Sequence, residues 1–383
     1  MKTMSIDQLN FDDIRFFNNE EVKVSLKSAV RHPMIKELLS YSFPDRDYEE
    51  VKEIVASCES IDDFQRDVIC KTVERLITDT SSGMTTSGFD RLDPVTSYLY
   101  ISNHRDIVLD TCLLNYTLFS EGLIRTASAI GDNLVEKPFV NALSKLTRNF
   151  IVKRGLGPRE TLKSSRKLSR YIRKLLKEDN RSVWLAQRQG RTKDGNDLTE
   201  QGVLKMLALA AGDQTIEEYL SNLRIVPVSI SYEYDPTDQL KVPELLAKAA
   251  KEDYIKSENE DFNSIMSGAL GQKKHIHITA GETINVQNLE AQSTNQVLQK
   301  VAAHLDQVIW SNYKLWPTNY VAYDLLHNTS DYQEFYSEHN KNQFERRLRL
   351  RVEVGNSLAV ESFLSMYAQP VINKEKLTSL HEA

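Results

Sequence analysis

The chain has 383 residues and a formal net charge of −6 at pH 7, with 27% charged and 40% hydrophobic residues. This composition is that of a soluble globular protein with two or three domains, and the net acidity argues against general nucleic-acid binding. Three cysteines without a CxxC spacing argue against a disulfide framework or a zinc site and fit a reducing, intracellular compartment.

The sequence also bears on membrane insertion. Residues 1–17 lack the apolar segment of a signal peptide, and no stretch reaches the roughly 18 apolar residues that a membrane span needs. We therefore expect a cytoplasmic protein whose membrane contact, if any, is peripheral and on the inner face.

The first 80 residues carry apolar side chains at helical spacing, with few β-branched runs. This pattern predicts a helical N-terminal domain over residues 1–85. The Ser- and Gly-rich stretch 81–88 predicts a linker.

Beyond residue 96, short β-rich runs alternate with helical patterns. Such alternation predicts an α/β catalytic domain over residues 86–325, with a largely parallel sheet flanked by helices. From about residue 285 the helical pattern returns, which predicts a helical C-terminal extension over 326–383. The predicted strands lie within 97–103, 147–154, 181–187 and 223–234, and the main predicted helices within 106–119 and 158–179.

The stretch "SNHRDIVLD" (102–110) places a histidine where a predicted strand meets a predicted helix. His-Arg-Asp also begins a protein-kinase catalytic loop, but that loop needs an Asn five residues after the Asp, and this chain has Thr111 there. A Gly-rich loop and a DFG motif are absent as well, which excludes the kinase interpretation.

His104 is instead a candidate general base. A neutral imidazole takes a proton from a hydroxyl when a carboxylate orients it, and Asp106 and Asp110 are both close enough in sequence to do so. The alternative is that Asp106 caps the following helix and His104 is structural.

Basic residues follow two later strands. Lys153 and Arg154 end one of them, and Arg188 and Arg191 flank Gly190 after another. Glycine lets the backbone approach a ligand closely, and arginines bind phosphate through two parallel hydrogen bonds. Residues 145–174 are strongly basic with one acid, Glu160. This stretch is either a solvated helix face or a surface for an anionic membrane, a phosphorylated substrate or a thioester carrier.

In this order, "NHRDIVLD", "IGDNL…TRNFIVKR", "AQRQGRTKDG" and "IVPVSISYE" resemble the four sequence blocks of the glycerolipid acyltransferases, the glycerol-3-phosphate and lysophosphatidate acyltransferases. "HIHITAGETI" (275–284) resembles the strand that closes their domain, so the resemblance covers roughly residues 97–285. It implies an acyltransferase-type mixed sheet and a role in phospholipid synthesis.

The resemblance also implies a mechanism. His104 would act as base on the acceptor's hydroxyl, and acyl-CoA or acyl carrier protein would supply the acyl group, with no bound cofactor and no metal. Arg154, Arg188 and Arg191 would bind the acceptor's phosphate. The predicted phosphate-binding set further includes Arg105, Lys153, Gln189 and Gly190.

The chain departs from the family in two places. The family leaves four residues between its His and Asp. In this chain one residue lies between His104 and Asp106, and five lie between His104 and Asp110. The apolar run after the motif aligns best with the family if Asp110 is the matching aspartate, with one residue inserted. The third block usually carries Glu where this chain has Gln189. Three functions therefore stay open: transfer to glycerol-3-phosphate or lysophosphatidate, transfer to a lyso-aminolipid without phosphate, and a non-catalytic role as a lipid-binding protein at the membrane surface.

Aromatic residues recur at helical spacing near residue 316. They predict either a membrane-facing side or, preferably, packing against the α/β core. The residues are Trp310, Tyr313, Trp316, Tyr320 and Tyr323. His275 and His277 alternate on a predicted strand without metal-ligand partners, and we interpret them as structural.

Overall fold

The computed structural model describes residues 10–287 and 291–382. Its centre is a seven-stranded sheet in the order β1-β7-β6-β2-β5-β3-β4. Neighbouring strands run parallel, except that β6 and β7 are antiparallel. The predicted α/β class with a mixed, largely parallel sheet is confirmed. The strands are β1 Ser81–Ser87, β2 Leu99–Ser102, β3 Thr126–Gly131, β4 Asn149–Val152, β5 Ser182–Ala186, β6 Ile225–Tyr232 and β7 Lys274–Ala280.

Helices cover the sheet and extend beyond it at both ends of the chain. A short π-helix, Gln65–Ile69, joins the fourth and fifth of them. The α-helices are α1 Asn19–Ala29, α2 Pro33–Ser42, α3 Tyr48–Ser57, α4 Ile61–Phe64, α5 Cys70–Thr80, α6 Leu109–Ser120, α7 Pro138–Leu146, α8 Pro158–Lys177, α9 Gln201–Ala208, α10 Ile216–Asn222, α11 Asp238–Ala250, α12 Glu260–Leu270, α13 Thr294–Asn312, α14 Pro317–His327, α15 Glu338–Arg351 and α16 Ser357–Glu382.

The central strand β2 is buried on both faces. Leu99 and Ile101 belong to the core on one face of the sheet, whereas Tyr100 belongs to the core on the other. Successive side chains of a strand point to opposite faces, so a strand covered on both sides reads as a continuous apolar run. This is why β2, β5 and β6 could be predicted from the sequence.

The topology brings the predicted site residues to one edge. The carboxyl ends of parallel strands lie at the same edge of a sheet, where α/β proteins bind their ligands. His104 follows β2, Lys153 and Arg154 follow β4, and Arg188 follows β5. The fold therefore collects the candidate base and the candidate phosphate-binding residues along one edge.

The predicted linker at 81–88 is wrong, because residues 81–87 form β1. This strand pairs with β7 at the border of the sheet and leaves most of its side chains exposed or half-buried, so it lacks the apolar run by which a strand is recognised. The predicted boundary between residues 85 and 86 lies inside β1. The division into three domains stays a prediction.

The helical regions at the two ends contribute to two further hydrophobic clusters, which they share with the α/β region. Val22 and Leu39 of the N-terminal helices lie in one cluster with Leu146 of α7, and Phe344 and Phe363 lie in another cluster that includes residues of α11. Within the described ranges, no helix is both long and apolar enough to cross a bilayer. The signal-segment prediction for residues 1–17 concerns a stretch of which 1–9 lie outside those ranges.

Candidate active site

His104 lies in the loop between β2 and α6, and its imidazole contacts a buried carboxylate. Its Nδ1 is 2.8 Å from Oδ2 of Asp110, which lies in the first turn of α6. The Asp110 side chain has no solvent exposure, and that of His104 is 13% exposed. Because Nδ1 is engaged by Asp110, Nε2 is the ring nitrogen left for a substrate.

Four donors fix the Asp110 carboxylate. Besides His104 Nδ1, Oδ2 accepts from the backbone N–H groups of Arg105 at 2.6 Å and Asp106 at 3.0 Å. Oδ1 accepts from the Tyr232 hydroxyl at 2.8 Å. Burial and the nearby Asp110 raise the pKa of Tyr232 well above its ordinary value, so the phenol keeps the proton that it donates. Asp110 can therefore hold the imidazole in one orientation.

Asp106 occupies a different position from Asp110. Its Oδ1 accepts from the backbone N–H groups of Val108 at 3.0 Å and Leu109 at 2.8 Å, the N-cap residue and the first residue of α6. Burial and the neighbouring Asp110 charge raise the pKa of Asp106. The structure thus pairs His104 with Asp110 and places Asp106 on the backbone at the start of α6, two residues before the N-cap position that was the alternative for it. The catalytic role of either carboxylate stays a prediction.

Further contacts set the orientation of the His104 loop. The backbone oxygen of His104 accepts from the N–H of Thr192 at 2.8 Å. The ring of Trp184 meets the imidazole edge-on, with centroids 5.3 Å apart. Because Trp184 lies on β5, this strand supports the base directly.

Arg105 does not face the open edge of the sheet. Its guanidinium is buried and lies 2.5 Å from Asp197 Oδ2, with a second bond of 3.3 Å to the Gly195 oxygen. Burial is opposed by the charge of Asp197, which with neighbouring acidic groups raises the pKa of Arg105 above its ordinary value. A guanidinium held in this way has little to offer a phosphate, so the geometry speaks against Arg105 as a binding residue and for a supporting role.

The four predicted phosphate-binding residues after β5, at positions 188–191, differ in their exposure to solvent. Arg191 is buried and bonds Ser264 of α12 through Nη2 at 3.3 Å. Arg188 is half-buried, with Nη2 3.9 Å from Glu200 Oε1. Gly190 is exposed at φ +74°, a conformation that favours glycine. Gln189 is exposed, and its backbone N–H donates to Glu200 Oε2 at 3.1 Å, so a carboxylate lies beside the position where the family usually carries one.

Lys153 and Arg154 lie at the same edge, beyond β4. Both are exposed, and the backbone N–H of Arg154 donates to Asp132 Oδ1 at 3.0 Å. The sheet order places two strands, β5 and β3, between β4 and the strand that carries His104. The predicted phosphate-binding set is therefore spread along the edge rather than gathered around one point.

Residues 84–231 match the family model described as Acyltransferase. The matched range contains His104, Asp110 and Arg191, the residues on which the site is built. Residues 84–231 are thus similar to an acyltransferase domain, and the predicted resemblance to an acyltransferase family is confirmed over this range.

Two further comparisons accompany this match. The 1-acyl-sn-glycerophosphate (LPA) acyltransferase PlsC from Thermotoga maritima is a similar solved structure, with a TM-score of 0.37, 13% identity, and coverage of 76% of this chain and 95% of that chain. The resemblance to an acyltransferase family therefore rests on the family model over residues 84–231. No curated protein matches the chain.

Sequence reasoning missed several residues that support the base of the acyltransferase domain. Lys241 on α11 is buried, donates to the Arg105 backbone oxygen at 2.9 Å and forms an ion pair with Asp235. Gly268 on α12 lies against Asp106, because a Cβ there would be 2.0 Å from Oδ2. Asp197, Trp184 and Tyr232 are likewise remote in sequence from position 104. No local spacing marks such contacts, since they arise only when the strands pair.

The remaining predictions concern the flanks of the acyltransferase domain. Tyr313 and Trp316 are buried, and Trp310 Nε1 donates to the Asp197 oxygen at 2.7 Å, which agrees with packing against the core. His275 bonds Glu233, and His277 lies 2.7 Å from Thr85, as expected of structural histidines. Among the described residues no group of three His, Cys, Asp or Glu side chains is arranged to hold a metal.

Proposed function

We propose that this protein is an O-acyltransferase that moves a fatty acyl group from a thioester, acyl-CoA or acyl carrier protein, to a hydroxyl of glycerol-3-phosphate or lysophosphatidate. The observation that carries the proposal is the His104 Nδ1–Asp110 Oδ2 contact of 2.8 Å at the carboxyl edge of a sheet whose sequence matches an acyltransferase family. Phospholipid synthesis is the process that such a reaction serves.

The proposed chemistry uses His104 as a general base. Nε2 takes the proton of the acceptor hydroxyl while its oxygen attacks the thioester carbonyl carbon. Asp110, bonded to Nδ1–H, stabilises the imidazolium that forms. The C–S bond of the tetrahedral intermediate then breaks, and the leaving thiolate takes the proton from Nε2. The products are an ester and a free thiol, and His104 is neutral again.

Arginines support a phosphorylated acceptor. Arg191 has a buried guanidinium whose one described hydrogen bond is to a neutral hydroxyl, that of Ser264. Its charge already acts on the Asp106 carboxylate, and we propose that it attracts the acceptor's phosphate as well. Arg188 lies three residues before Arg191, and the 3.9 Å distance between its Nη2 and Glu200 Oε1 makes a loose ion pair. Guanidinium groups suit the recognition of phosphate. We expect Arg191 to be the main contact, with Arg188 near it and Arg154 farther along the same edge of the sheet.

A lyso-aminolipid acceptor is the second candidate, raised by Gln189 in place of the usual acid. The side chain of Gln189 is exposed, and Glu200 lies against its backbone. A carboxylate is thus present near this position, and the departure from the family pattern loses much of its weight. We keep the phosphorylated acceptor as the proposal. We also propose that the protein works at the inner face of a membrane, because its product is a lipid.

A panel assay tests the proposal. Purified protein is incubated with a radiolabelled acyl-CoA or an acyl carrier protein thioester and with glycerol-3-phosphate, lysophosphatidate or a lyso-aminolipid. The proposal predicts labelled ester with at least one phosphorylated acceptor and release of one thiol per ester. Ester formation only with the lyso-aminolipid would replace the acceptor class, and no transfer with any pair would contradict the proposed function.

A further inference from the structure

The helix α8 presents a basic stripe to solvent. Arg159, Lys163, Arg166 and Arg170 recur at intervals of four, three and four residues and so share one side of the helix. The opposite side, with Leu168, Ile172 and Leu175, is buried in the core. We call the four cations the basic α8 face.

The four cations of the basic α8 face are not neutralised by acidic side chains in the described structure. Among the described residues, none of its four side chains forms a salt bridge or a hydrogen bond, whereas three other cations of α8 are engaged. Those three are Lys167 with Asp13, Lys174 with Asp179, and Arg173 with the backbone oxygen of Ala210. The one acid in the first turn of α8 is Glu160. This side of an acidic protein is therefore locally cationic.

Two exposed leucines lie beside the face. Leu156 is 38% exposed in the loop before α8, and Leu162 is 46% exposed within its first half. This end of the helix lies near the carboxyl edge of the sheet, because α8 begins shortly after β4 ends at Val152. The apolar side chains are thus at the end of the face nearest the proposed site.

We propose that the basic α8 face, with Leu156 and Leu162, docks the protein on an anionic lipid bilayer. The cations meet lipid phosphates and the leucines enter the interfacial region, which holds the end of α8 nearest the carboxyl edge of the sheet at the surface that contains the lipid acceptor. The inference rests on the proposed function only in the reason that it gives for docking, which is access to a lipid acceptor. The docking itself can be measured without any acyl transfer.

The surface composition favours a bilayer over other partners. The stripe from Arg159 to Arg170 is about 17 Å long at 1.5 Å per residue, and a straight stripe of cations suits a flat anionic surface. Another exposed apolar stripe, Phe262, Met266 and Leu270 on α12, follows acidic residues at 258, 260 and 261, so charge opposes its contact with anionic lipid. An acidic carrier protein is the competing occupant of the α8 face, and the experiment separates the two.

The test compares two charge-reversal variants of the full chain. The first is Arg159→Glu/Lys163→Glu/Arg166→Glu. The matched control is Lys27→Glu/Arg31→Glu/Lys376→Glu, which reverses three exposed cations that lie in no described salt bridge and alters the net charge equally. Each protein is mixed with vesicles of phosphatidylcholine alone or with roughly 30% phosphatidylglycerol, and the bound fraction is measured by sedimentation at about 0.1 M and about 1 M salt.

The proposal predicts that wild type and control bind the anionic vesicles at low salt and leave them at high salt. A cation at an anionic surface contributes on the order of fivefold to partitioning, so the α8 variant should bind at least about 100-fold more weakly. Leu162→Ala should weaken binding by a smaller factor that salt does not change. Circular dichroism confirms that each variant is folded.

Equal binding of the α8 variant and wild type would overturn the proposal. So would a loss that appears instead in Arg346→Glu/Arg349→Glu, which alters the other exposed basic end, that of α15 beside Leu350. If vesicles bind neither protein but the α8 variant raises the KM for an acyl carrier protein thioester, the face serves the carrier and the bilayer proposal is wrong. Transfer from acyl-CoA to soluble glycerol-3-phosphate should be unchanged in the α8 variant, so failure of the proposed function and failure of docking give different results.

Discussion

Replacing Asp110 by asparagine tests which carboxylate serves His104. Asparagine has nearly the same shape, and its Oδ1 can still accept from His104 Nδ1 and from the backbone N–H of Arg105 and Asp106. The hydrogen bond with Tyr232 reverses, because the Tyr232 hydroxyl can rotate to accept from the side-chain amide of the asparagine. Asp110→Asn therefore removes mainly the negative charge beside the imidazole.

The expected loss follows from the charge that develops on His104. During transfer the ring becomes an imidazolium with its Nδ1 2.8 Å from Asp110 Oδ2. Two unit charges about 4 Å apart attract by about 4 kcal/mol at an effective dielectric constant of about 20. Loss of this attraction in the transition state alone predicts a fall in kcat on the order of 1,000-fold, with little change in KM.

Asp106→Asn is the matched control. The asparagine oxygen can keep the bonds to the N–H groups of Val108 and Leu109, and position 106 has no described bond to His104. We expect kcat to change by less than about tenfold. The assay is transfer from radiolabelled acyl-CoA to the best acceptor of the panel, with folding checked by circular dichroism. Equal losses in the two variants, or a larger loss at Asp106, would refute the assignment.

Three further predictions address the surroundings of the site. Arg191→Ala should raise the KM for a phosphorylated acceptor by tenfold or more and change the KM for the acyl donor little, as steady-state kinetics can verify; an unchanged acceptor KM would remove Arg191 from the phosphate site. Gly268→Ala should lower the free energy of unfolding by about 1–3 kcal/mol, because its Cβ would collide with Asp106, whereas Gly202→Ala on α9 meets no atom within 4 Å and should be neutral or stabilising; equal unfolding curves would contradict the close contact. Burial raises the pKa of Asp306 to about 6, so the folded state binds more protons than the unfolded state between about pH 4 and pH 6 and loses stability as the pH rises through that window. Asp306→Asn, which can still accept from the backbone N–H of Thr199, should remove this slope and raise the free energy of unfolding at pH 7 by at most about 3 kcal/mol in urea titrations; a destabilised variant at pH 7 would contradict the raised pKa.

The strands that could be predicted are those buried on both faces. β2, β5 and β6 read as short apolar runs, and a strand at the border of the sheet or one built of small residues does not. β1 (Ser81–Ser87) is largely polar, and β3 (Thr126–Gly131) consists of Ala, Ser, Thr, Ile and Gly. Both strands form because neighbouring strands supply their backbone hydrogen bonds, and these long-range contacts leave no pattern in the local sequence.

The site could be predicted in its parts but not in its pairing. The position of His104 at a strand-to-helix junction followed from the sequence. The preference for Asp110 over Asp106 came only from the apolar run after the motif, because the contact itself depends on where α6 begins. The helix starts at Leu109, which places Asp110 in its first turn beside His104 and leaves Asp106 bonded to the N–H groups of Val108 and Leu109. The sequence does not show that Arg105 pairs with Asp197, because the two residues are 92 positions apart. Without that partner, Arg105 reads as a residue that could bind phosphate.

Removal of the His104 imidazole tests whether this side chain accepts the proton of the acceptor hydroxyl. His104→Ala is assayed for transfer from radiolabelled acyl-CoA to the acceptor that wild type uses, at matched concentrations of protein shown to be folded. We predict that transfer falls to the background of the uncatalysed reaction while the circular dichroism spectrum is retained. Turnover by folded His104→Ala at a rate near that of wild type would contradict it.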